Sequence, residues 1–104
     1  MTYLIDQTLV IANKYLQDFG FSEEQVQGLL VQAERDLTKE LIRAQDVFEA
    51  EPVDHEAVNS VLHAIKGLLF SLGNREMAEK IEALREEDAQ SQDILEIKML
   101  LFNH

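Results

Sequence analysis

Apolar residues recur in steps of three and four through Val26, Leu30, Ala33, Leu37, Leu41, Ala44 and Phe48, and this run constrains the chain more than any other feature. An α-helix, at about 3.6 residues per turn, gathers those positions onto one face, whereas a strand would scatter them across two. Ser22-Glu-Glu-Gln25 stands ahead of the run in the form of a capping box, so a long helix is predicted over about 22–50. Gly28 falls inside it at a cost of up to ~1 kcal/mol relative to Ala, and nothing in the sequence accounts for it.

The same spacing recurs elsewhere. Leu4, Ile5, Leu9, Ile11, Ala12, Tyr15, Leu16 and Phe19 give one apolar face to a first helix over about 3–19, ended by Gly20. Pro52 closes the long helix and Asp54 caps the next, which runs to Leu72. Gly73-Asn74 is a stop and a start: glycine suits the left-handed position after one helix, and asparagine caps the helix carrying Met77, Ala78, Ile81 and Leu84 to about Glu87. Ser91 can cap a last helix with Ile94, Leu95, Ile97, Leu101 and Phe102.

No stretch alternates with period two, so the predicted class is all-α. Helices beginning near 22, 54, 74 and 91 are joined by short connections and are expected to run antiparallel, as an up-down-up-down four-helix bundle. The additional N-terminal helix, about 3–19, is expected to lie across one end or side of a bundle core at about 22–102. With 104 residues the chain has room for a single domain, 1–104.

Twenty acidic residues against nine basic ones leave a net charge of −11, a field that repels nucleic acid and anionic membranes, so neither is expected as a partner. The absence of cysteine removes disulfide and thiolate chemistry. Met-Thr-Tyr-Leu-Ile-Asp lacks the basic region and apolar run of a signal peptide, and no apolar segment approaches about 18 residues. A cytoplasmic monomer is expected. No histidine is preceded at three residues by glutamate, those positions being Pro52, Ser60 and Leu101, so no di-iron site and no metal are expected. His55 and His104 read as exposed polar residues.

On the helix from Asp54 to Leu72, Val58, Val61, Leu62, Ile65, Leu68, Leu69 and Leu72 share one broad face. His63 lies opposite, with Lys66, Gly67 and Phe70 within about 60° of it. An exposed imidazole, whose reference pKa is about 6.5, keeps a lone pair at neutral pH and can attack phosphorus. Lys66, one turn on, can screen a phosphoryl group once attached, and Gly67 removes a side chain beside the ring so that a partner's site can close over it. A His-x-x-Lys pair alone is common on solvated helix faces. Here it comes with Gly67, Gly73 and a bundle pattern.

His63-x-x-Lys66-Gly67 followed by Gly73 at a helix end resembles the signature of the histidine-containing phosphotransfer (HPt) domain family, and the likeness in pattern extends over roughly 22–102. The resemblance implies that His63 accepts a phosphoryl group and exchanges it with the aspartate of response-regulator receiver domains, with a hybrid histidine kinase as a further partner. It implies no cofactor on this chain, because in that family the receiver supplies Mg²⁺. The chain would then be a phosphoryl carrier rather than a self-sufficient enzyme.

Two positions depart from the family pattern. HPt domains usually have small residues after the Lys-Gly pair, where this chain has Leu68, Leu69 and Phe70. Phe70 either joins a docking patch flanked by Glu56 and Asn59 or tucks against a neighbouring helix. Where the family often has Gln or Glu facing the histidine, this chain has Arg85, a cation suited to phosphoryl oxygens. Glu82, one turn earlier, could orient the ring instead, and either residue could simply be solvated. The competing functional class is an interaction module of the same shape that binds a receiver or other signalling partner without accepting phosphate.

Overall fold

The capping box after Phe21 forms as its sequence requires: Gln25 N donates to Ser22 Oγ at 3.2 Å, and Ser22 N donates to Gln25 Oε1 at 3.0 Å. In the computed structural model, which describes residues 3–86, 98, 99, 101 and 102, with the backbone alone for 84–86, this cap opens the longest helix. The helices are α1 (Tyr3–Asp18), α2 (Glu23–Glu49), α3 (His55–Ser71) and α4 (Arg75–Glu86). Among the described residues there is no strand, so the fold is all-helical.

Asp54 caps α3 by accepting from the backbone N–H groups of Glu56 and Ala57 at 3.0 and 3.2 Å. These contacts satisfy donors that the first helical turn leaves without intrahelical partners. At the far end of α3, Gly73 takes φ +86 and Gly20 plays the same part after α1 with φ +94. Gly73 is under a second constraint as well, because a Cβ there would lie 2.5 Å from Cγ of Tyr15.

The steps of three and four become the core. Leu37, Leu41, Ala44 and Phe48 of α2 meet Val58, Val61, Leu62, Ile65 and Leu69 of α3 in one buried cluster, joined by Leu4, Ile5 and Ala12 of α1 and by Ala78 and Ile81 of α4. At roughly 1.5–3 kcal/mol for each fully buried aliphatic side chain, the α3 residues fix the rotation of that helix. In sequence order each helix packs against the next, α1 on α2, α2 on α3 and α3 on α4. Among the described residues no helix is long and apolar enough to cross a membrane.

One expectation needs correction. Phe19, assigned to the apolar face of the first helix, is 66% exposed, because α1 ends at Asp18 and the chain has begun to turn toward Gly20. Its ring stacks edge-on against Tyr15 at 4.9 Å between centroids instead of entering the core. Leu68 is half-buried at the margin of the core cluster. The helix predicted from Ser91 lies mostly outside the described residues. Lys98, Met99, Leu101 and Phe102 are helical, and Leu101 is fully buried in the core.

Candidate functional site

With its apolar face seated against α2 and α4, α3 turns one polar stripe outward. Along it, at helical steps of three and four, run Glu56, Asn59, His63, Lys66, Gly67 and Phe70. Glu56, Asn59, His63 and Gly67 are exposed. The His63 side chain is exposed, and among the described residues its imidazole has no hydrogen-bond partner. Around Gly67 a Cβ would meet nothing within 4 Å, which leaves the surface beside the imidazole low and open.

Lys66 differs from its expected state. Read from the sequence, it projects into solvent; in the structure its side chain is only 18% exposed and Nζ lies 2.8 Å from Glu82 Oε2 of α4. The docking of α4 against α3 brings the two together. Glu82, read from the sequence either as orienting the His63 ring or as solvated, is engaged with the ammonium one turn further along. Arg85 falls on the backbone of α4, and its side chain lies outside the described residues.

The other flank of the stripe belongs to α2. Arg43 Nη2 donates to Ser60 Oγ at 3.1 Å, and Arg43 Nη1 lies 3.5 Å from Glu40 Oε2. Ser60 stands one turn before His63, so this contact ties the start of the stripe to α2. Sequence reasoning missed both Arg43 and Ser60. The available signal was the place of Arg43 in α2, between the core residues Leu41 and Ala44, from which a long side chain reaches along a helix boundary. Beyond it, Asp36, Lys39, Glu40, Ala64 and Leu68 line a shallow depression between α2 and α3.

Phe70 is 36% exposed. Part of its ring is covered and part adds apolar area to the stripe beyond Gly67. His55 is exposed at the first position of α3, and His104 lies outside the described residues. Among the described residues no three of His, Asp and Glu converge as metal ligands.

The arrangement presents an exposed imidazole on a packed helix, a lysine one turn along whose ammonium is paired with Glu82, and open space over Gly67. Comparison with protein-family models, with curated proteins and with solved structures finds no match for the chain.

Proposed function

We propose that this chain is a cytoplasmic, monomeric histidine phosphotransfer protein of a two-component phosphorelay, carrying a phosphoryl group on His63 to or from the aspartate of receiver domains. The proposed architecture is an up-down-up-down four-helix bundle with an additional N-terminal helix. The observation that carries the reading is the exposed His63 on the outward stripe of α3, with the Lys66 ammonium one turn on and open space over Gly67.

In the loading step a neutral ring nitrogen of His63 attacks the phosphorus of a receiver's aspartyl phosphate. The nitrogen–phosphorus bond forms as the bond from phosphorus to the carboxylate oxygen breaks, and that electron pair leaves with the carboxylate. The N–H proton on the other ring nitrogen stays, giving a phosphoimidazolium that can release it to water. Transfer onward reverses the same bonds. Charge on the transferring group is stabilised in such reactions by Mg²⁺ and a lysine, which the receiver supplies in this reading. Lys66 adds a cation on the acceptor side.

The test is a screen of receivers carrying radiolabelled aspartyl phosphate. A competent partner is expected to pass label to the wild-type chain as an acid-labile, base-stable adduct, and His63→Gln is expected to abolish it. Label retained at the wild-type level in His63→Gln overturns the assignment. Phe70 favours a second reading, because apolar area on the outward stripe suits docking whether or not phosphate moves. Receiver binding that His63→Gln leaves unchanged, with no phosphohistidine in the wild type, selects that interaction module.

A further inference from the structure

A groove follows the boundary between α2 and α3. At one end Leu16, Leu29, Ala33, Leu68 and Leu72 give an apolar floor to a depression of about 240 Å³, with Asp36 at its edge. Asp36 and Leu68 also line the next depression along, with Glu40 and Ala64, so the two adjoin. From Leu29 to Glu40 the groove follows about three turns of α2, roughly 16 Å. Its charge is uneven. Asp36 stands where the two depressions meet, and its Oδ1 accepts from the neutral Gln32 amide at 2.9 Å; among the described residues it has no ion-pair partner. Glu40 is offset by Arg43, whose Nη1 lies 3.5 Å from Glu40 Oε2. Lys39, three residues on from Asp36, is exposed and forms no ion pair with it. The middle of the groove is thus a carboxylate without a cation, in a chain of net charge −11, beside an apolar floor in which Leu29 is 39% exposed.

We propose that this groove docks an amphipathic helix of a partner protein, one that lays apolar side chains over Leu29 and Leu68 and brings a lysine or arginine to Asp36. A helix suits the site because it satisfies its own backbone, whereas an extended segment would turn N–H and C=O groups onto the apolar floor. Its side-chain ridges also fit the furrow between two packed helices. The negative field of the chain favours a basic partner over an acidic one. Ala64 and Ser71, on the groove side of α3, follow His63 and Phe70 in sequence, so the docked partner lies beside the outward stripe. Docking itself moves no phosphate, and the inference stands whether or not His63 accepts one.

The test is selection from a displayed library of helical peptides, about 16 residues long with every outward position varied, against the wild-type chain. Selected sequences are expected to share apolar residues at helical steps of three and four, with a lysine or arginine within about two turns of them. Leu29→Asp and Asp36→Lys are each expected to weaken a selected peptide about tenfold or more. Exchanging the peptide's basic residue for glutamate is expected to restore binding to Asp36→Lys. Val31→Asp, at a residue 57% exposed and about 200° round α2 from Leu29, should change nothing. In the unmutated protein the amide resonances of Gln32, Asp36, Ala64 and Leu68 are expected to shift when the peptide is added, a measurement that needs no variant to fold. Binders that lack a basic residue, binders indifferent to both Leu29→Asp and Asp36→Lys, or no binders at all overturn the proposal. Dimerisation of the wild-type chain that Leu29→Asp abolishes also overturns it, in favour of a second copy of this chain in the groove.

Discussion

Asn74 Nδ2 donates a 2.9 Å hydrogen bond to Thr8 Oγ1 across 66 positions of chain, and both residues are buried, at 3% and 0% exposed. The amide's other end faces α4, where Asn74 Oδ1 accepts from Met77 N at 3.4 Å. One side chain thus caps α4 and ties α1 to the turn that ends the His63 helix. The long cap contact is the weaker of the two, so the bond to Thr8 carries more of the energy.

Asn74→Ala is therefore expected to cost about 2–3 kcal/mol in urea unfolding, combining an orphaned buried hydroxyl with a weakened cap. Thr8→Val is expected to cost about 1–3 kcal/mol by orphaning the amide instead. The double variant should cost clearly less than the sum. Strict additivity would show that the two side chains do not act as a pair.

Gly73→Ala and Gly20→Ala form a matched test of the same turn. Both positions hold left-handed backbone, φ +86 and φ +94, but a Cβ at Gly20 meets nothing within 4 Å while one at Gly73 meets the Tyr15 ring at 2.5 Å. Gly20→Ala is expected to cost about 1–2 kcal/mol from backbone strain alone, and Gly73→Ala distinctly more. Equal losses in thermal or urea unfolding would mean that Tyr15 swings aside freely. A site-specific readout is the Tyr15 ring resonance, expected to shift only in Gly73→Ala.

These pairings mark the boundary of what can be read from sequence. Helix ends are legible because their signals are local: Ser22 with Gln25, Asp54 with Glu56 and Ala57, and Gly73 with Asn74 all lie within a turn of the backbone groups they serve. The face bearing His63 is legible for the same reason, since the periodicity of Val58, Val61, Leu62, Ile65 and Leu69 sets which way α3 turns. Thr8 on Asn74, Tyr15 on Gly73, Arg43 on Ser60 and Glu82 on Lys66 are not, because each depends on how two helices are docked in register, which no single helix's pattern encodes. Phe19 misleads for a local reason: the apolar pattern runs one residue past the end of the helix.

Gly28 lies in the interior of α2, exposed, where an added Cβ would meet nothing within 4 Å. Its cost is conformational, and no neighbour compensates for it. Gly28→Ala is expected to raise stability by about 0.5–1 kcal/mol, read as a higher urea midpoint with an unchanged slope. A loss of stability would place an unrecognised contact at this point of α2. An unchanged receiver-labelling rate in the same variant would separate this helix position from the His63 stripe.

Phe70 allows the docking role of that stripe to be weighed against its packing role. At 36% exposed, the ring is covered enough to contribute to stability and open enough to meet a partner. A fully buried Phe→Ala change costs about 3–5 kcal/mol, so Phe70→Ala is expected to cost about 1–2 kcal/mol. Its effect on receiver binding should be larger in proportion, about tenfold or more if the ring sits near the centre of the contact. Val10→Ala, at a residue 74% exposed on α1, is the control and should change neither quantity. Loss of binding in Phe70→Ala with His63→Gln still bound assigns docking to the apolar end of the stripe and chemistry to its middle. A stability loss near the full-burial value, with binding intact, would instead make Phe70 a core residue and leave docking to Glu56, Asn59 and the open surface over Gly67.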